Sequence, residues 1–331
     1  MELQIINNPT PFQTNEPITE HENVATPGKA FIEANTIAMD FEELRNQHII
    51  PVFLKDNEPL ISHSDFIETV MQSVEDHYHY ETILKPCIRV SYPIKGRVPN
   101  AKNKPANELL DHEKTLYYER MAFVIEIPSI QEEIDGCTLS LMIGGVKSFS
   151  MDNLYNKKGA DQHFKLFIGF QNRVCLNLCV WTDGFKSDVK ATTIGELQMV
   201  LKVLLKYYNP NHHLHHLNQL NKQSITEQQF ALMIGRLRMY NHLPKSVQAN
   251  IPALNLGDTQ IASVVKDYYK DQSFCRGNDG QINLWRLYNL FTNANKSSYI
   301  DNFVDRSVNA YHFVEQIRWA LEDKNDSWYL S

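Results

Sequence analysis

The hydrophobic period of this chain changes once along its length, and that change restricts its folds more than any other feature. Between Lys85 and Trp181 apolar residues recur at every second position; beyond that they recur every three to four. Ile88, Val90, Tyr92 and Ile94 share one face of an extended segment, while Arg89, Ser91, Lys95 and Arg97 share the other. Such a segment is a half-buried strand with a basic outer face. Pro93 offers no ladder donor, which places this strand at a sheet edge. Further strands read at Leu116–Ile127, Thr138–Phe149, His163–Phe170 and Val174–Trp181, the last two forming a hairpin across Gln171 to Arg173. After Gly184 the chain reads as helical throughout: Ile194–Tyr207, a helix opening at Pro210, one from Thr226 to Tyr240, then Thr259–Tyr269, Ile282–Thr292 and Tyr299–Leu321. Strands first and helices after, without βαβ alternation, predict an α+β protein. A mostly antiparallel sheet subdomain is expected over 37–190, followed by a C-terminal helical subdomain over 191–331.

Ahead of the sheet, residues 1–36 carry five Glu against one Lys and no sustained apolar period, so they are expected to form an acidic, mobile leader. Asp40 with Glu43 opens a short helix from Phe41 to Gln47, and Ser64 caps a helix bearing Phe66, Val70, Val74 and Tyr78. The net charge of −7 is unevenly spread: residues 1–81 hold 15 Asp and Glu against 3 Lys and Arg. Everything after residue 81 is mildly basic, so the overall charge is no argument against an anionic partner. The longest apolar run, Met121 to Ile125, falls far short of the ~18 residues of a membrane span. The first residues show no secretory signal, and five scattered cysteines suit a reducing compartment. A cytoplasmic protein without membrane contact is the expectation. With 43% hydrophobic residues the chain can bury a core without metal or disulfide staples.

The strongest functional signal is the segment Lys85–Lys104, in which Lys85, Arg89, Lys95, Arg97, Lys102 and Lys104 occur with no acidic residue among twenty. Such a strip can neutralise several phosphates and release their counterions. Lys157 and Lys158, with Lys147 and Lys165, form a second basic cluster that would extend the groove. The same residues could instead serve as a solvated edge, since edge strands carry Lys to discourage pairing, or face a protein partner. Tyr92, on the apolar face, is expected to be buried and a poor platform for stacking. Single-stranded DNA fits best, because a basic edge strand with basic loops tracks a backbone without a groove-reading helix.

Other constellations are weaker. Gly144-Gly145-Val146-Lys147-Ser148 lacks the glycine spacing of a phosphate loop and reads as a bulge. Cys175 and Cys179 lie ~13 Å apart on a regular strand, too far to share one ion. His212 and His216 share a helix face and could chelate zinc, although no carboxylate or cysteine lies nearby in sequence. The segment from Asp258 lacks the tight turn of a helix-turn-helix. No catalytic motif appears in a supporting context. The expectation is a non-catalytic protein with no cofactor and no metal; a nuclease with a dispersed metal site is the remaining enzymatic alternative.

The blocks TLYYERMAFVIEIP, LSLMIGGVKSFSMDNLY, FKLFIGFQNRVCLNLCVWTDGF and INLWRLYNLFTNANKSSYID resemble an uncharacterised family of phage/plasmid-like proteins carried on bacterial mobile elements. The resemblance spans roughly residues 84–331 and includes Val174-Cys175-Leu176-Asn177 and the run from Leu284 to Asn289. It implies a genomic setting of plasmids, prophages or integrated elements, and carries no biochemical activity with it. Nucleic-acid work fits that setting. So does a protein-interaction factor, such as an inhibitor of a host system, acting through the acidic leader or through Trp328 and Tyr329.

Overall fold

The computed structural model describes residues 30–47, 60–101, 103–152, 161–323 and 327–331. Its elements are, in chain order, β1 (Thr36–Met39), α1 (Phe41–Gln47), α2 (His63–His77), β2 (Cys87–Ser91), β3 (Pro93–Arg97), β4 (Lys114–Tyr118), β5 (Arg120–Ile134), β6 (Cys137–Ser148), β7 (Gln162–Asn172), β8 (Leu178–Ala191), α3 (Ile194–Tyr207), α4 (Pro210–Leu220), β9 (Ser224–Ile225), α5 (Glu227–Tyr240), α6 (Lys245–Gln248), α7 (Asp258–Lys270), β10 (Ile282–Asn283), α8 (Leu284–Asn295) and α9 (Ile300–Asp323). This is the α+β architecture expected: a large antiparallel sheet in the first part and helices in the second.

Six strands pair in the order β1-β2-β5-β6-β7-β8, each antiparallel to its neighbour. The long central hairpin, β5–β6, turns on Asp135 and Gly136, both left-handed (φ 51° and 73°). That pair of conformations gives the tight turn whose twist matches the strands it joins. Both faces of the sheet are covered. Met121, Phe123, Ile125, Leu141, Ile143, Phe164 and Leu166 belong to the core shared with α2 and α3, where Phe66 stands edge-on to Phe123 at 5.3 Å. The alternate residues Ala122, Val124, Met142, Val146, Phe167 and Val180 meet Phe303, Val304 and Val308 of α9. The first of these cores continues from the sheet into α8, whose Trp285, Tyr288 and Phe291 are fully buried, so the helices add to the sheet's core instead of enclosing a separate one.

Most helix starts follow the capping chemistry that the sequence carries. Thr193 with Glu196 and Thr226 with Gln229 form reciprocal capping boxes, and Asn209 caps α4 with Pro210 in its first turn. Four expectations need correction. Helix α2 starts two residues early, because Ser62 with Asp65 forms the box instead of Ser64. Gly184 does not end the strands: it lies inside β8, where an added Cβ would stand 2.1 Å from the Ile168 carbonyl, and a register shift nearby lets β8 run on to Ala191. The paired glycines Gly144 and Gly145 sit in unbroken register within β6, and the irregularity of that hairpin falls instead between Ile127 and Gln131, at Pro128. Finally, residues 1–29 of the expected leader lie outside the described residues, but its last part is packed: Phe31 and Ile32 are buried against α9, and the Glu33 and Ala34 amides donate to the Lys296 carbonyl.

Candidate functional site

The strand expected to carry the basic strip is divided between two sheets: of its described cations, Arg89 lies on β2, Lys95 and Arg97 lie on β3, and Lys104 lies in the loop that follows. Strand β2 is internal, paired to β1 on one side and β5 on the other, and among the described residues the outer position belongs to β1. Arg89 therefore does not face solvent along an open edge. Its Nε and one terminal nitrogen donate to Thr36 Oγ1 at 3.0 and 2.8 Å, and that same nitrogen donates to the Thr36 carbonyl at 2.9 Å, clasping the outermost strand. Burial pulls its pKa below the ordinary arginine value. We expect Arg89→Lys, which cannot span both acceptors in this geometry, to lower stability by about 1–2 kcal/mol and to leave any polyanion binding unchanged. Chemical denaturation followed by an oligonucleotide binding assay checks both halves. Lys85 is exposed just before β2. Lys102, Lys157 and Lys158 lie outside the described residues.

The chain leaves the main sheet at Pro93, for the reason sequence gives: a proline cannot continue the ladder. Strand β3 pairs instead with β4 as a two-stranded ribbon, in register Lys95↔Leu116 and Arg97↔Lys114. Directly opposite residues of an antiparallel pair share a face, so Lys95, Arg97 and Lys114 converge on one side. They line a cavity of about 370 Å³ together with Gly96, Leu109, Thr115 and Leu116. Arg97 and Lys114 are like charges placed opposite each other, an arrangement that costs stability unless each finds a partner. Arg97 donates to the Lys104 carbonyl, and Lys114 reaches Asp111 at 2.8 Å. Lys104 itself is ion-paired with Glu113, whose carboxyl is held below its usual range by that bond.

The departure at Pro93 also corrects the expected burial of Tyr92. Because β2 stops at Ser91, Tyr92 lies between two sheets and is 62% exposed. It lines a cleft of about 210 Å³ with Asn35, Ser91, Ile94, Arg120 and Tyr299, and Tyr299 is 61% exposed. Arg120 in this cleft is compensated by Asp301 at 2.5 Å and Glu119 at 3.2 Å. Two open phenol rings thus share one cleft at the root of the cationic ribbon, since Ile94 of β3 belongs to its wall. Tyr299 and Lys114 were not legible as site residues. Nothing local marks Tyr299, which opens α9 far along the chain, and Lys114 gains its meaning only from the ribbon register.

The second basic cluster does not extend this surface through its described members. Lys147 is fully buried, with Asp152 Oδ2 at 3.1 Å, Gln162 Oε1 at 3.2 Å, and its ammonium 4.1 Å from the Phe164 ring centre. Lys165 is buried against α9, paired with Asp305 and donating to the Asp301 carbonyl. Both cations are spent on holding the fold. Among the described residues no three His, Cys, Asp or Glu side chains group as a metal site, and no helix is long and apolar enough to cross a membrane.

Comparison with known proteins gives one family. The profile described as "Domain of unknown function, B. Theta Gene description (DUF3871)" matches residues 11–330, nearly the whole chain. No curated protein and no solved structure matches.

Proposed function

The chain belongs to the DUF3871 family, and from its site we propose that it binds single-stranded nucleic acid, with the phosphate backbone following the β3–β4 ribbon and bases stacking in the adjoining cleft. The carrying observation is the juxtaposition of Tyr92 and Tyr299 in one cleft beside Lys95, Arg97 and Lys114. Aromatic faces stack on any base and cations follow any backbone, so this pairing of features suits sequence-tolerant binding of an unpaired strand. No groove-reading helix is needed. In this reading the protein acts without catalysis, in the cytoplasm, and its setting on a mobile element is part of the same proposal.

The test is fluorescence anisotropy with a labelled single-stranded oligonucleotide. Tyr92→Ala and Tyr299→Ala should each weaken binding by about tenfold or more, in line with the ~1–3 kcal/mol per stacked base found by such truncations. Tyr92→Phe, which keeps the ring, should bind like the parent. Equal binding by parent and both alanine variants would remove the stacking component.

A second reading, a protein partner, is favoured by the outer face of α3. Met199, Val203 and Tyr207 follow at four-residue spacing and are all exposed, flanked by the exposed Lys202 and Lys206. Met199→Asp with Val203→Asp should leave oligonucleotide binding intact if the ribbon is the nucleic-acid site. Loss of that binding in the double variant would move the site to α3.

A further inference from the structure

We propose that His212 and His216 form an open two-histidine site for a divalent transition-metal ion on α4. Asn209 caps this helix by accepting from the His212 amide, and Pro210 fixes its first turn, so the two histidines lie one turn apart on a regular helix face. Their Nε2 atoms approach to 3.2 Å. A tetrahedral ion bound ~2.05 Å from each of two imidazole nitrogens sets those nitrogens ~3.3 Å apart. The pair is therefore already spaced as a chelate. An ion entering between the nitrogens replaces the hydrogen bond that joins them, the bridging proton leaving to solvent, and needs little side-chain movement.

The surroundings keep this geometry. Both rings lie against the indole of Trp181, at centroid distances of 5.1 and 4.5 Å. His213, between them in sequence, points inward instead: it is fully buried, and its Nδ1 bonds the Tyr208 hydroxyl at 2.7 Å. Two imidazoles select borderline ions such as Ni²⁺, Cu²⁺ or Zn²⁺. With no third protein ligand grouped there among the described residues, the remaining positions are open to water or to a small ligand. Such a site takes up an ion without being needed for folding.

Untagged full-length protein titrated with NiCl₂, and separately with ZnCl₂, tests this by calorimetry and by tryptophan emission. One equivalent is expected to bind, with Ni²⁺ quenching the part of the emission that Trp181→Phe removes; that variant should still bind by calorimetry. Disturbing a metal site's outer shell alone costs about 10–100-fold in affinity, so His212→Ala and His216→Ala should each lose at least tenfold. His215→Ala serves as the control, because the His215 Nε2 is hydrogen-bonded to Gln219 at 3.1 Å and its ring centre lies 6.1 Å from that of His216. No binding at about 1 mM metal, parent-like binding by His212→Ala and His216→Ala, or an equal loss in His215→Ala would each overturn the proposal.

Discussion

Asp152→Ala is expected to cost about 3–5 kcal/mol, the range seen when one partner of a buried ion pair is removed. The carboxylate does two things at once. Its Oδ2 faces the Lys147 ammonium, and its Oδ1 accepts from the His163 amide at 2.7 Å, holding residues 152 and 163 together. Without it, Lys147 keeps, among the described residues, Gln162 and two aromatic rings inside an apolar core. For a chain of this size the loss corresponds to a fall in melting temperature of about 4–7 °C. Asp152→Asn, which keeps an acceptor for the His163 amide, should fall between the two. In a double-mutant cycle, Lys147→Met should restore much of what Asp152→Ala loses, because the stranded charge is then gone; additive losses would contradict the pairing. A pH signature accompanies it. Burial, opposed by Asp152, pulls Lys147 down from 10.5 to about 8. Below about pH 8 the lysine is protonated in both states and its desolvation cost is fully present. Between pH 8 and 10.5 the unfolded chain holds the extra proton, so stability rises with pH there relative to Lys147→Met. A pH-independent difference between the two proteins would show that Lys147 titrates normally.

Gly144→Val should be more damaging still. A Cβ at this position would stand 2.3 Å from the Phe123 carbonyl oxygen, on the neighbouring strand, and 2.4 Å from the Phe167 ring. Overpacking of side chains alone costs ~1–3 kcal/mol, and here a backbone atom of a central strand must also move. We expect the variant to lie beyond that range and to fail to accumulate as folded protein at 37 °C. Gly235→Ala provides the opposite sign. It lies within α5 with nothing within 4 Å of the added methyl, and should stabilise by about 0.5–1 kcal/mol. A soluble, normally melting Gly144→Val protein would refute the close packing at the centre of β6.

The contrast between these two glycines shows what is readable without the structure. Fold class was legible because the period switch is carried by adjacent residues, and the starts of α3, α4 and α5 were legible because capping is a matter of three or four neighbours. Gly184 misled because a glycine in sequence is punctuation, whereas here it is a place where strand β7 comes close. The candidate site suffered from the same limit. An unbroken alternation from Ile88 to Ile94 reads as one strand, yet the missing donor of Pro93 splits it between two sheets and turns Tyr92 outward. Arg89 was recognisable as a cation but not as a clasp, since Thr36 lies 53 residues earlier in the chain. Lys147 and Lys165 counted as surface charge until Asp152 and Asp305 were seen beside them. Charge density along a sequence does not distinguish a free cation from a spent one.

The most direct test of single-strand binding by the ribbon is the salt dependence of affinity for a labelled thymidine oligonucleotide, measured for the parent and for Lys95→Ala with Arg97→Ala and Lys114→Ala. Three phosphate contacts at ~0.7 each give a slope of log K against log salt of about −2. The parent is expected to show that slope and the triple variant a nearly flat line, with the melting temperature little changed. Superimposed lines for the two proteins, or no salt-sensitive binding by the parent at about 50 mM salt, would contradict it.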